Sequence, residues 1–217
     1  MGGGSCTPWS EEEATVNLNV LLLEGERGAA IAAERDLAAA GHTVHRCRPA
    51  DGPAFPCAAL ADDGCPLDRA VVDVALDVRR RTHDRPSARE DGVVCALRRR
   101  IPLVVAGSAA DNPYVDAVEV VEPAGDVVSA CERAAVAPLV RQAAAASEAL
   151  VQVLERRMIA SVPSVAVRRV RGRLVVEVDG AATLDTATRS MAAVRMTGAV
   201  RRVDRSALGI DVVFDGA

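Results

Sequence analysis

Five short apolar segments, separated by helix-like stretches, constrain the fold of the first two thirds of the chain more than any other feature. The strand-like segments are residues 16–23, 43–47, 68–76, 102–106 and 118–121. Helical patterns follow the first strand at 27–40 and precede the fourth at 93–101, and a third helix begins after Asp126. Strands that alternate with helices are typical of parallel βαβ units. The pattern therefore predicts an α/β fold with a doubly wound, parallel, five-stranded sheet.

The remaining residues have a different pattern. Pro138 is predicted to end one helix and to mark a domain boundary, and a helix over 139–157 follows it. A hairpin around Gly172, a helix over 183–196 and a final apolar stretch after Gly198 complete an α-β-β-α-β order. The chain is thus predicted to consist of a flexible leader at 1–15, a domain at 16–137 and a small domain at 138–217.

The charge distribution also favours two modules. Residues 1–137 contain 14 arginines and 22 acidic residues, whereas residues 138–217 contain 12 arginines and 8 acidic residues. The formal net charge of −4 argues against a globally basic nucleic-acid-binding protein. Such asymmetry predicts two surfaces of different character.

All basic residues are arginines, because the chain contains no lysine. This excludes lysine Schiff-base chemistry and a phosphate-binding loop that depends on lysine. No segment is long and apolar enough to predict a transmembrane helix, and the leader lacks the features of a signal peptide. We therefore expect a cytoplasmic protein, in which cysteines are thiols or metal ligands more often than disulfides.

The carboxyl ends of the predicted strands carry a set of acidic residues. In parallel α/β sheets, ligand chemistry is found at this edge. These ends are predicted at Glu24–Glu26, Asp73–Asp77, Gly107–Ser108 and Glu122. The candidate carboxylates are those of Glu24, Glu26, Asp73 and Glu122. Such a group of carboxylates is electrostatically strained unless it holds a cation or takes up protons.

Residues 17–137 resemble a response-regulator receiver domain of the flavodoxin-like class. The resemblance rests on NVLLLEGERGAAIAAERDLAAAGHTV at 19–44, LDRAVVDVALD at 67–77, DGVVCALRRRIPLVVAGSA at 91–109 and Val121-Glu122-Pro123. It implies that Asp73 takes the phospho-acceptor position. The acidic pair that holds Mg²⁺ in the family falls on Gly25-Glu26, with Glu24 before it. The switch position falls on Gly107, or on Ser108 if the alignment slips by one.

The same resemblance places Glu122 where the family has its phosphate-pairing lysine. A carboxylate at that position repels a phosphoryl group. The resemblance therefore predicts a pseudo-receiver, that is, a signal-transduction module that has lost regulated phosphotransfer.

A cysteine-containing loop at 48–66 has no counterpart in a typical receiver. Cys47 precedes this loop, and Cys57 and Cys65 lie within it. With His42 or His45 they could form a zinc or iron site, although their spacing matches no short metal-binding motif. Alternatives are a Cys57–Cys65 redox pair, or small buried apolar residues at Cys47, Cys95 and Cys131.

Residues 139–214 weakly resemble a BON-like domain, on RGRLVVEVDG at 171–180, the helix at 184–196 and TGAVRRVD at 197–204. A ferredoxin-like or ACT-like regulatory module fits the pattern nearly as well. This module contains two groups of arginines: Arg168, Arg169, Arg171 and Arg173, and Arg201, Arg202 and Arg205. They could bind anions, acidic lipid or nucleic acid, or they could form a solvated face of a sheet.

These observations lead to one principal hypothesis and two alternatives. The principal one is a non-enzymatic cytoplasmic regulator that associates with itself, as a homo-oligomer, or with a protein partner. The alternatives are a metal or redox sensor that uses Cys47, Cys57 and Cys65, and a protein that binds anionic surfaces through its arginine-rich module. An enzyme is not predicted, because the chain has no phosphate-binding glycine loop and no nucleophile motif.

Overall fold

The computed structural model describes residues 17–60, 64–81, 85–108, 112–114, 116–122, 125–161, 163–170, 173–205, 207 and 209–215. The predicted leader at 1–15 lies outside the described residues. The first part of the chain forms five strands and three helices: β1 (Asn19–Glu24), α1 (Ile31–Ala39), β2 (Thr43–Arg46), α2 (Pro66–Arg69), β3 (Val74–Val78), α3 (Asp91–Arg98), β4 (Leu103–Ala106) and β5 (Glu119–Val121). The second part forms α4 (Val127–Arg156), β6 (Ser164–Val170), β7 (Arg173–Asp179), α5 (Thr186–Val203) and β8 (Ile210–Phe214).

The first sheet is entirely parallel, with the strand order β2-β1-β3-β4-β5. Alternate residues of the strands point to opposite faces and pack on two separate clusters. One cluster includes α1 and the first half of α4, and the other includes α2 and α3. Helices on both faces of a parallel sheet explain the near-continuous apolar strands, and the architecture is consistent with a flavodoxin-like α/β fold.

The second sheet is mixed, with β7 in the centre, antiparallel to β6 and parallel to β8. Its inner face packs on the second half of α4 and on α5, around Leu150, Leu174 and Met196. The predicted α-β-β-α-β order is therefore confirmed.

Three predicted element boundaries are wrong. Pro138 lies inside α4, which continues without interruption, because each half of the helix buries apolar residues in its own core. That burial offsets the roughly 3 kcal/mol that an interior proline costs a helix. Gly198 likewise lies inside α5. The third strand begins at Val74, because residues from Pro66 form the short helix α2, with proline at its first turn.

None of the helices in the described part of the chain is both long and apolar enough to cross a membrane.

Candidate functional site at the carboxyl edge of the parallel sheet

The acidic residue at the carboxyl end of β3 is Asp77. In the sheet it lies beside Leu23 of β1 and Val105 of β4. Asp73 precedes β3 and lies at the opposite edge, where its Oδ2 accepts a hydrogen bond from the Asn19 backbone N–H at 2.8 Å. The prediction that Asp73 joins the acidic group is therefore wrong, because it rested on a strand assigned several residues too early.

Asp77 is fully buried in a group of charged side chains. Neither of its carboxylate oxygens has a hydrogen-bond donor among the described residues. Glu90 is also buried, and its Oε1 pairs with Nε of Arg79 at 2.8 Å. Burial raises the pKa of Asp77 well above its usual range, the neighbouring charge of Glu90 acts in the same direction, and the charge of Arg79 acts in the opposite one. The surroundings of Asp77 therefore favour its protonated form more than water does.

Glu24, at the end of β1, is paired with guanidinium groups. Its Oε1 accepts a hydrogen bond from Arg89 Nη1 at 3.0 Å, and Arg46 Nη1 lies 3.7 Å from its Oε2. Arg46 also donates two hydrogen bonds to Glu34, at 3.0 and 2.8 Å, which lower the pKa of Glu34. Glu24 is thus neutralised by arginines that come from β2 and from the turn before α3.

The other predicted residues of this edge have separate roles. Glu26 accepts hydrogen bonds from the backbone N–H groups of Arg80 and Arg81, at 2.9 and 3.2 Å. Glu122 is exposed at the end of β5. A Cβ at Gly107 would lie 3.2 Å from both Cβ and the carbonyl oxygen of Arg79, so the Arg79 backbone takes the space above that position. Ser108 follows on the same edge, partly exposed.

The receiver resemblance implies a Mg²⁺ ion between such carboxylates, and the side chains present do not fit one. Among the described residues, no three His, Cys, Asp or Glu side chains are grouped so that they could hold one metal ion. The carboxylates of Glu24 and Glu90 are taken by Arg89 and Arg79. Guanidinium groups thus supply the positive charge that a cation would otherwise supply.

Replacing Asp77 with asparagine is expected to stabilise the protein at neutral pH. Asparagine keeps the shape of the protonated carboxyl and removes a buried group that ionises, so we expect a gain of roughly 1–3 kcal/mol in the free energy of unfolding. Because the folded-state pKa is raised, the native protein loses stability as pH rises above about 4, the usual pKa of aspartate, and the variant lacks that loss. Urea unfolding of Asp77→Asn between pH 4 and 8 measures both effects. Asp73→Asn is the control, since it removes a satisfied carboxylate at the other edge.

Four cysteines line one small cavity on the α3 side of the sheet. Cys47, Cys57, Cys65 and Cys95 surround a volume of about 110 Å³ whose walls include Phe55 and Leu60. The described cysteines are free thiols. Burial raises the pKa of Cys47 to about 12, so this thiol is neutral and unreactive at physiological pH.

Sequence reasoning missed Cys95 as a member of this group. The prediction that Cys95 is buried is wrong, because it faces the cavity from the exposed side of α3. The prediction is confirmed for Cys47 and Cys131, both of which are buried. The spacing of Cys95 from the loop is too long to give a local motif, so only the packing of α3 reveals it.

Neither histidine joins the cysteines. Nδ1 of His42 accepts a hydrogen bond from the Leu18 backbone N–H at 3.3 Å, and its Nε2 lies 3.4 Å from Glu132. Nε2 of His45 lies 3.0 Å from Oδ1 of Asn19. The suggestion that His42 or His45 completes a ligand set with the cysteines is therefore wrong.

The predicted arginine cluster divides into paired and unpaired members. Arg168 pairs with Glu177 at 2.6 Å, and Arg173 donates two hydrogen bonds to Asp211 at 2.8 and 2.7 Å. Arg169 lies 3.6 Å from Asp204. Arg201, Arg202 and Arg205 are exposed at and just beyond the end of α5, and Arg171 lies outside the described residues. The outer face of the second sheet thus balances much of its own positive charge.

Comparison of the chain with known protein families, with curated proteins and with solved structures gives no match.

Proposed function

We propose that the chain is a non-enzymatic regulatory protein, and that its first unit is a receiver-like module without Mg²⁺-dependent phosphotransfer. One observation carries the proposal: at the carboxyl edge of the sheet, Arg79 neutralises Glu90 and Arg89 neutralises Glu24. The strand order, Asp77 at the end of β3 and Glu24 at the end of β1 all support a relation to receivers.

The chemistry of phosphoryl transfer supports the loss of activity. A carboxylate can attack a phosphoryl donor only when it is ionised and accessible, and a cation must offset the developing charge. Asp77 is inaccessible, and burial raises its pKa well above the usual range, which disfavours the ionised form. Glu122 adds a negative charge at the same edge, and the chain has no lysine to replace the family's phosphate-pairing residue.

Titration with Mg²⁺ and beryllofluoride, which mimics an acyl phosphate, tests this part of the proposal. We expect the NMR spectrum of the backbone amides of the full chain to remain unchanged on addition of Mg²⁺ and beryllofluoride. The spectrum of Asp77→Asn should be equally unaffected. A saturable spectral change in the native protein that is absent from Asp77→Asn would contradict the proposal. Asp73→Asn serves as a matched carboxylate variant that leaves Asp77 in place.

A regulator without chemistry must act through its surfaces, and we propose that this one associates with a second copy of itself. Helix α5 exposes two apolar side chains one turn apart, Met191 and Val194, with Val194 73% exposed. Val140 on α4 is also exposed. A large aliphatic side chain gains roughly 1.5–3 kcal/mol when it is buried, which favours an interface.

Sedimentation velocity over a range of concentrations tests the self-association. We expect a dimer or larger oligomer in the native protein, and a shift towards monomer in Val194→Asp. Val94→Asp, which changes an exposed valine on α3, is the matched control and leaves the oligomer intact. A native protein that stays monomeric at all concentrations would remove self-association from the proposal.

A thiol-based sensor is the second candidate function, and the four cysteines around one cavity favour it. Two thiols that give up two electrons and two protons to a hydroperoxide form a disulfide, while the peroxide becomes water and an alcohol. We expect the denatured mass to fall by two hydrogen atoms after peroxide treatment, and this change to be absent from Cys57→Ser. An unchanged mass, or the same loss in Cys57→Ser, would contradict a switch at this loop.

A further inference from the structure

Two adjoining cavities lie at the amino edge of the parallel sheet, on the side opposite to Asp77. The larger has a volume of about 580 Å³ and the smaller about 280 Å³. They share Arg100, Ile101, Pro102, Pro138 and Arg169, so together they form one cleft between the first sheet, α4 and β6. Its size falls within the range of small-molecule sites in proteins, roughly 300–1,000 Å³.

Arginines from three separate elements converge on this cleft. Arg99 and Arg100 follow α3, Arg141 belongs to α4, and Arg168 and Arg169 belong to β6. Among the described residues, the side chains of Arg100 and Arg141 make no hydrogen bond or ion pair, whereas those of Arg46 and Arg89 at the opposite edge are paired. Unpaired guanidinium groups in a cleft are suited to bind an anion.

The carboxylates in the cleft are mostly engaged by the protein itself. Asp73 accepts a hydrogen bond from the Asn19 backbone N–H at 2.8 Å. Asp204 accepts one from Gln142 at 2.7 Å and lies 3.6 Å from Arg169. Asp116 is the exposed carboxylate of the rim. Arg100 and Arg141 are therefore left to interact with a ligand.

Arg100 has a backbone conformation that favours glycine. Its φ is +56°, and its N–H and that of Ile101 donate to the carbonyl oxygens of Leu97 and Ala96. These bonds form the motif that ends many helices with a glycine in the left-handed region. A residue with a Cβ costs about 1–2 kcal/mol there. An arginine at this position exposes a cation at the rim of the cleft, at a cost that a glycine would avoid.

Gln142 supplies a second, independent indication of a ligand. Its side chain is 2% exposed and lines the smaller cavity. Its Nε2 donates to Asp204, but its Oε1 has no donor among the described residues. A buried acceptor without a donor costs about 1–3 kcal/mol. A ligand with an N–H or O–H group would satisfy it.

We propose that this cleft binds a phosphorylated small molecule of nucleotide size, of which nucleoside diphosphates are the representative class. Arg100, Arg141 and Arg169 hold the phosphate oxygens, and Oε1 of Gln142 accepts a hydrogen bond from the ligand. The apolar wall of the larger cavity, which includes Leu18, Val72 and Leu139, packs on the uncharged part of the ligand. This site is independent of the receiver-like pocket and of the function proposed for it.

Isothermal titration calorimetry of the full chain with ADP, inorganic pyrophosphate and adenosine tests the proposal. We expect ADP to bind more tightly than pyrophosphate, and adenosine to bind weakly or not at all. Higher salt weakens the binding of ADP, because the contacts are charged. Pyrophosphate that binds as tightly as ADP would overturn the nucleotide class, and absence of binding by both would overturn the site.

Variants separate the role of the side chains from their effect on folding. Arg100→Gly relieves the left-handed conformation, so we expect it to fold at least as stably as the native protein and yet to bind ADP at least tenfold more weakly. Arg141→Gln is expected to have the same effect on binding. Gln142→Met is expected to weaken the binding of ADP more than the binding of pyrophosphate. Arg195→Gln removes an exposed arginine on α5 and is the charge-matched control. An equal loss of ADP affinity in this variant would overturn the proposal. So would unchanged ADP affinity in Arg100→Gly and Arg141→Gln.

Discussion

Replacing Arg79 with methionine is expected to destabilise the protein by roughly 3–5 kcal/mol at neutral pH, the range found when one partner of a buried ion pair is removed. Arg79 is only 4% exposed and its partner Glu90 is 1% exposed. Without the guanidinium group, Glu90 and Asp77 are two neighbouring buried carboxyls with no cation between them. The length of the methionine side chain keeps most of the packing, so the loss reports the charge. Urea unfolding monitored by circular dichroism measures the difference.

The pH dependence of Arg79→Met distinguishes lost charge from lost packing. Arg79 lowers the pKa of Asp77 in the native protein, so its removal raises that pKa further. A carboxyl whose folded-state pKa is raised stabilises the protein at low pH, and this stability is lost as pH rises above about 4. The deficit of the variant should therefore stay constant at low pH and grow once pH exceeds the folded-state pKa that Asp77 has in the native protein. A deficit that does not change with pH would contradict the argument.

Arg35→Met is the matched control for this experiment. Arg35 pairs with Asp36 at 3.0 Å on the surface, where both side chains are largely exposed. Exposed pairs contribute about 0–1 kcal/mol and are screened by salt. The same chemical change should therefore have little effect at any pH. Together with the expected stabilisation in Asp77→Asn, these results would show that arginine charge, not a bound cation, balances the acidic edge.

The parallel sheet could be predicted from the sequence because its strands are short apolar segments with turn signals on both sides. The choice between Asp73 and Asp77 as the residue of the carboxyl edge could not, because 68–76 and Val74–Val78 are both plausible strands from apolarity alone. Pro66 is the discriminating residue: a proline at the first turn favours the short helix α2, which moves the start of β3 to Val74. The later start of β3 places Asp73 at the amino edge of the sheet and leaves Asp77 at the carboxyl edge.

The continuous helix α4 could not be predicted either. Local rules place a boundary at Pro138, since proline lacks the N–H that would donate to Ala134. Tertiary packing overrides this preference, because Ala134 and Leu150 are buried in different cores on the two sides of the proline. The cavity shared by Cys95 and the loop cysteines depends in the same way on contacts that are distant in sequence.

Leu150→Ala is expected to lower the stability of the second unit by about 2–5 kcal/mol, the usual cost of truncating a fully buried leucine. Leu150 lies on α4 at the centre of the core formed by α5 and the second sheet. Alanine and leucine are both good helix formers, so α4 itself is not weakened. Thermal unfolding followed by circular dichroism should show a new transition at lower temperature. Val136→Ala changes an exposed residue of the same helix and should leave the unfolding curve almost unchanged.

The same variant tests whether α4 couples the two units. Cys131 lies on α4 about five turns before Leu150 and is buried in the first core, and burial raises its pKa to about 12. Alkylation of Cys131, followed by mass spectrometry of its peptide, therefore reports unfolding of the first unit alone. Among the described residues, α4 is the element that the two cores have in common. We therefore expect Cys131 in Leu150→Ala to stay protected through the first transition and to react only in the second. Alkylation that begins with the first transition would instead mean that α4 transmits unfolding, and that the chain behaves as one cooperative domain.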